Sequence, residues 1–177
     1  HTVDIQVSNM VKWAKEVKSG DTTNMEARAA VYYWANIFPY NKVFIRDRYG
    51  MPPNNLLNYG YSILRSIIAR SLVGTGLLPT LGIHHRNKYN AYALADDIME
   101  PYRPFVDSTV LNIINSGLDY NTLNREVKIQ LMSIPVLDVR INDLQRPLQI
   151  ASSITTASLL KCFTKEESKI LYPEIGP

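Results

Sequence analysis

The chain has 177 residues, 46% of them hydrophobic and 20% charged, which is the size and balance of one folded domain with a sizeable core. The single cysteine, Cys162, excludes an intrachain disulfide and a cysteine metal cluster and fits a reducing, cytoplasmic setting. No apolar run approaches the ~20 residues of a membrane span, no signal peptide is visible, and a net charge of +3 is compatible with nucleic acid without arguing strongly for it.

The elements follow in order. Met10, Trp13, Ala14 and Val17 have helical spacing, with Ser8 or Asn9 as the cap and Ser19-Gly20-Asp21 as the stop. A second helix is expected over 23–38, where Thr23-x-x-Glu26 reads as a capping box and Ala27, Ala30, Val31 and Trp34 follow at helical intervals. On local sequence, then, Glu26 serves its own helix. Residues 39–53 form a long loop with Arg46, Asp47 and Arg48. A strong helix is predicted from 54 to 73, capped by Asn54 or Asn55, with Leu57, Tyr61, Leu64, Ile68 and Leu72 as its stripe. Gly60 within it implies the close approach of another helix or a ligand, because glycine there costs about 1 kcal/mol against alanine.

Residues 77–86 are a turn-rich entry carrying His84 and His85, and the next helix carries Asp96, Asp97 and Glu100. At about 100° per residue, Ala91, Leu94, Ala95 and Ile98 share one apolar face, and Asp97 and Glu100 lie on the other side. One imidazole with carboxylate oxygens can hold a divalent cation, and this donor set suits Mn²⁺ or Mg²⁺ better than structural zinc. Pro101 ends or kinks the helix at Glu100, and Pro104 opens the next one, with Val106, Val110, Ile113 and Ile114 as its core face. Further helices are expected over 121–132, with Leu123, Val127, Ile129 and Leu131 as core, and over 140–163, where Pro147 marks a kink or a first turn. The tail from Leu171 is expected to fray. Strand-like alternation is confined to 135–141, so the fold class is all-α: a single-domain bundle of about six or seven helices. There is no phosphate-binding glycine loop and no nucleophile elbow.

The order of the motifs is more specific than any one of them. NMEARAAVYYW is followed, after the polar loop, by NNLLNYGYSILRSIIARSLVGTGLLPTLGIHHRNKYNAYALADDIMEPYRPFVD. This resembles the helical catalytic domain of the CRISPR-associated spacer-acquisition integrase, the adaptation nuclease of CRISPR systems, and most of all the type II version. The resemblance implies a metal-dependent DNA endonuclease and integrase. Such an enzyme inserts short foreign DNA fragments into a CRISPR array by transesterification, and with water as nucleophile the same site hydrolyses DNA. The implied metal ligands are Glu26, His85 and Glu100, with Asp97 as a supporting catalytic residue; Asp96 has no place in the motif. His85 is taken over His84 because it stands at the family's spacing of 15 residues before Glu100. On this footing Glu26 becomes a ligand that also does some capping.

The resemblance further implies double-stranded DNA partners (the spacer precursor and the repeat array) and a small companion adaptation protein. A homodimer is implied for the full-length protein, with further adaptation partners in type II systems and a prokaryotic cytoplasm. The family's N-terminal β-domain is not recognisable, and the chain opens on His1, so residues 1–177 read as the C-terminal helical domain of a longer protein. Arg86, Lys88 and Arg103 flank the acids and are candidates for phosphate contacts, with Arg46, Arg48, Arg65 and Arg70 as weaker ones. The alternative is a non-catalytic helical module that holds DNA or a protein. A metal-storage bundle would need Glu-x-x-His pairs, and there are none.

Overall fold

The computed structural model describes residues 7–17, 21, 23–38, 44–85 and 87–174. The described elements are, in order, α1 (Val7–Glu16), α2 (Met25–Ile37), α3 (Asn54–Gly74), α4 (Ala93–Met99), a 3₁₀ turn (Glu100–Tyr102), α5 (Arg103–Asn115), α6 (Arg125–Leu131), a second 3₁₀ turn (Ile134–Val136), β1 (Asp138–Ile141), β2 (Leu144–Pro147) and α7 (Leu148–Phe163). No helix among the described residues is long and apolar enough to cross a membrane. The backbone packs as two units, residues 1–54 and 55–177.

In the first unit, α1 and α2 meet through an edge-to-face pair of Trp13 and Tyr32 at 5.4 Å, with the Arg28 guanidinium over Trp13 at 4.9 Å. Val7 opens α1, so Ser8 and Asn9 lie inside it rather than capping it, and most of the expected stop at 19–21 lies outside the described residues. The expected capping box does not form. Asp21 caps α2 instead, accepting from Met25 N at 2.7 Å and Glu26 N at 2.9 Å, and Asn24 turns into the helix with φ 57°. Glu26 is therefore released from capping and exposed. The buried Asn54 amide gathers the end of the loop, accepting from Arg46 Nη1 and Asp47 N and donating to Ile45 O and Met51 O, each at 3.0 Å.

In the second unit the α3 stripe is as read: Leu57, Tyr61, Leu64, Ile68 and Leu72 are buried. Gly60 marks the approach of a helix. A methyl group there would meet Val106 of α5 at 2.5 Å and Ile134 at 3.4 Å, so only the bare backbone lets α5 pack this closely. Val106, Val110 and Ile113 are buried on α5. α6 is shorter than expected, beginning at Arg125 under an Asn124 cap that accepts from Val127 N at 3.0 Å. Val127 and Leu131, four apart, form its inner face, while Ile129 lies two residues round the helix and is 58% exposed rather than core.

The chain is mostly helical, but the all-α expectation is corrected by the β1–β2 hairpin, which pairs antiparallel with Val139 opposite Arg146 and Ile141 opposite Leu144. Asn142 and Asp143 form its two-residue turn, with φ 50° and 61°, the left-handed pair such a turn requires. The last helix accordingly starts at Leu148, with Pro147 as its N-cap. α7 turns an unusually polar face inward. Ser152 Oγ meets Ser71 Oγ at 2.7 Å, and Thr155 Oγ1 meets the Tyr102 hydroxyl at 2.6 Å, so these buried hydroxyls are paired. The tail is not frayed through Glu174. Leu171 N donates to Ser158 Oγ and Glu174 N to Arg140 O, both at 2.8 Å.

Candidate functional site

One carboxylate organises the site. Asp97 points from α4 into the loop before it and accepts three successive backbone amides: Ile83 at 2.6 Å, His84 at 2.9 Å and His85 at 3.1 Å. Its Oδ1 also meets His85 Nδ1 at 2.5 Å. The Asp97 side chain is nearly buried, whereas the His85 ring is 42% exposed. Burial alone would raise the Asp97 carboxyl. The bonds from the His84 amide, the His85 ring and the His85 and Ile83 amides outweigh it and hold the group below its ordinary value. An ionised carboxylate only accepts, so His85 Nδ1 is the donor to Asp97, and Nε2 has no hydrogen-bond partner among the described residues. His84 is also exposed, with its ring edge-on to that of His85 at 5.8 Å.

Gly82 makes this approach possible. A Cβ there would run into the His85 carbonyl oxygen and come within 2.9 Å of Ala93 Cβ and 3.2 Å of Asp97 Oδ2. Gly82→Ala is expected to push the loop off α4, lowering stability by about 2 kcal/mol and weakening Mn²⁺ binding with it. Thermal unfolding and calorimetric titration read the two effects, and an unchanged melting midpoint would contradict this account of the loop.

α4 ends at Met99. Glu100 keeps helical dihedrals (φ −51°, ψ −49°) but passes into the 3₁₀ turn that Pro101 forces. Its half-exposed carboxylate pairs with Arg103 Nη2 at 2.9 Å. Burial pushes the Glu100 carboxyl above its ordinary value; the Arg103 and His85 charges oppose this, and Asp96 and Asp97 add to it. The Arg103 guanidinium lies over the Tyr61 ring at 5.1 Å. Asp96 has a fastening role that the sequence did not disclose. It bonds Arg65 Nε at 3.0 Å and Asn90 Nδ2 at 2.8 Å, tying α4 to α3 and to the entry loop.

The structure pairs His85 with Asp97 and Glu100 with Arg103, the two acids standing one helical turn apart. Glu26 belongs to the other unit, as do Arg46, which is tied to Asn54, and Arg48, which lies over the Tyr49 ring at 5.8 Å. Lys88 is exposed over Tyr89 at 5.0 Å, Arg70 is exposed on α3, Arg65 is held by Asp96, and Arg86 lies outside the described residues. Among the described residues no three His, Cys, Asp or Glu side chains are grouped to hold a metal ion. The donor chemistry of the pair in place does fit one, with an imidazole oriented through its second nitrogen by a carboxylate and an accessible acid nearby.

The helical fold is shared with a casposase. The chain superposes with a TM-score of 0.73 on a casposase bound to integration product, at 20% identity, over 95% of this chain and 57% of that one. Residues 5–130 match the family model for CRISPR associated protein Cas1, and the chain belongs to that family. It is 41% identical over 114 residues to a CRISPR-associated endonuclease Cas1 of Neisseria meningitidis, covering 64% of this chain and 36% of that protein. It is 39% identical over 89 residues to one from Pyrobaculum aerophilum, covering 50% of this chain and 30% of that protein. The chain therefore spans about a third of the length of these relatives.

Proposed function

We propose that this chain is the helical catalytic domain of a metal-dependent DNA endonuclease and integrase that inserts short foreign DNA fragments into a CRISPR array. The observation that carries the reading is the His85 imidazole, held through Nδ1 by Asp97, which stands one helical turn before Glu100. Membership of the Cas1 family supports it.

His85 Nε2 and a Glu100 oxygen are the proposed ligands for Mn²⁺ or Mg²⁺, with Glu26, free of its capping role, as the third. A cation bound there supplies a Lewis acid to a phosphodiester. Asp97 fixes the imidazole tautomer. Arg103 supplies a positive charge for a phosphate oxygen, with Lys88, Arg86, Arg70, Arg46 and Arg48 as lesser contacts along the backbone. A 3′-hydroxyl oxygen bonds to phosphorus as the bond to the leaving oxygen breaks; with water in its place the strand is cut. The proposed partners are double-stranded DNA, a small companion adaptation protein and, for the full-length protein, a second copy of itself, in a prokaryotic cytoplasm.

One observation favours a second reading, a non-catalytic DNA- or protein-binding module: the Glu100 carboxylate is already paired with Arg103 at 2.9 Å. Incubating the protein with duplex DNA and Mn²⁺ separates the two. Cleaved or joined strands that disappear with a chelator are expected. DNA retention without any metal-dependent product would support the binding module instead.

A further inference from the structure

Two roles at the candidate site exclude each other while their side chains are paired. Glu100 is to hold a cation and Arg103 a phosphate oxygen, yet Arg103 Nη2 lies 2.9 Å from Glu100 Oε1 and each charge is taken up by the other. The backbone under the pair is fixed. Both residues belong to the turn between α4 and α5, where the Arg103 amide donates to the Glu100 carbonyl, Pro101 and Pro104 stiffen the chain, and Tyr102 is fully buried. The pair therefore opens by side-chain motion alone, and at 39% and 47% exposure both side chains have room for it.

The seat of the guanidinium is only half satisfied. Its face lies over the Tyr61 ring at 5.1 Å, and that ring is buried with its hydroxyl on the buried Asp107 carboxylate, so the platform does not move. Arg103 Nε, by contrast, is buried and has no hydrogen-bond partner among the described residues. A buried donor left unmade costs free energy, and a guanidinium presents its donors as a fork that fits the oxygens of a phosphate. An exposed ion pair is weak, so a divalent cation at the same carboxylate can displace it.

We propose that Arg103 and a divalent cation compete for the Glu100 carboxylate, and that cation binding there releases the guanidinium to a phosphate oxygen of the DNA. The proposal rests on the nuclease reading above. One exchange frees the acid for the metal and the guanidinium for the substrate, and it makes metal binding and DNA binding support each other.

Arg103→Gln removes the charge and keeps most of the stem beside Tyr61. Calorimetric titration is expected to show Mn²⁺ bound about fivefold more tightly than by the parent, the scale of one exposed ion pair. Lys88→Gln removes a cation that pairs with no acid among the described residues, and should leave the Mn²⁺ affinity at the parent's value. Anisotropy of a short fluorescein-labelled phosphorothioate duplex reads the second half of the exchange. Saturating Mn²⁺ should tighten duplex binding to the parent about tenfold, the scale of one hydrogen bond to a charged group, and to Arg103→Gln much less. Equal or weaker Mn²⁺ affinity in Arg103→Gln, or the same gain in Lys88→Gln, would overturn the inference while leaving the nuclease reading standing. So would an equal tightening of duplex binding in parent and Arg103→Gln. Mn²⁺ bound by neither parent nor Arg103→Gln would remove both.

Discussion

His85→Ala is expected to abolish Mn²⁺ binding and leave the fold intact. The ring is 42% exposed and its contacts are with Asp97 and the edge of His84, so little apolar burial is lost with it. The Asp97 carboxylate keeps its three backbone donors, and the loop stays in place. What disappears is the one nitrogen donor of the proposed centre. Removing a residue that merely orients a ligand costs roughly 10–100-fold in metal affinity, so loss of the ligand itself should exceed about 100-fold. Glu100→Ala should behave alike. Calorimetric titration beside thermal unfolding checks this, and equal Mn²⁺ affinity in parent and variant would withdraw the assignment.

The second large effect belongs to Asp97. Asp97→Ala deprives three amides and an imidazole of their acceptor at once. Loss of about 2 kcal/mol of stability and a 10–100-fold drop in Mn²⁺ affinity are expected, a smaller loss of binding than for His85 or Glu100. The effect should also depend on pH in a definite direction. The folded Asp97 carboxyl is held below its ordinary 3.8, so its contribution is fully present above that value and is lost as pH falls through the depressed one. The Glu100 carboxyl is raised, so its contribution has the opposite sign, present below its ordinary 4.5 and lost as pH rises through the higher folded value. Comparing the parent with Asp97→Asn isolates the first term. The gap in melting midpoint should be wide near neutrality and close below about pH 4. A gap independent of pH would show that the carboxylate acts by shape alone.

Much of the framework was legible because it is periodic. Leu57, Tyr61, Leu64, Ile68 and Leu72 follow one face of α3 and are buried there. Gly60 foretold the close approach of a helix or a ligand, because glycine in mid-helix needs a reason, and the structure shows α5 there. The hairpin was missed because its strands have only four residues each and its Asn142-Asp143 turn lacks the glycine that usually announces one. Leu144 of β2 also falls at a helical interval before Leu148 and Ala151 of α7, which extended the last helix backwards. The capping box failed because Asp21, further upstream, is the better acceptor for the same amides.

At the site, helical spacing set Asp97 and Glu100 opposite the apolar face, while the choice of His85 over His84 and of Glu26 as a ligand came only from the family resemblance. The partners of Asp96 and Asp97 were not legible in the same way. That Asp97 turns to the loop and Asp96 to Arg65 depends on how the loop and α3 pack against α4, which no local pattern encodes, whereas Glu100 to Arg103 is an i,i+3 pair.

The Asp97 clamp also sets a ruler along the loop. One carboxylate counts three consecutive amides, so a residue inserted between Ile83 and His85 would put every later amide out of step with it and carry the imidazole away. The stretch just beyond is measured differently. Asn87 and Asn90 close their own short turns, accepting from Tyr89 N and Tyr92 N, both at 3.0 Å. The connection is therefore held at two separate points, at residues 83–85 by Asp97 and at Asn90 by Asp96, each on its own carboxylate of α4.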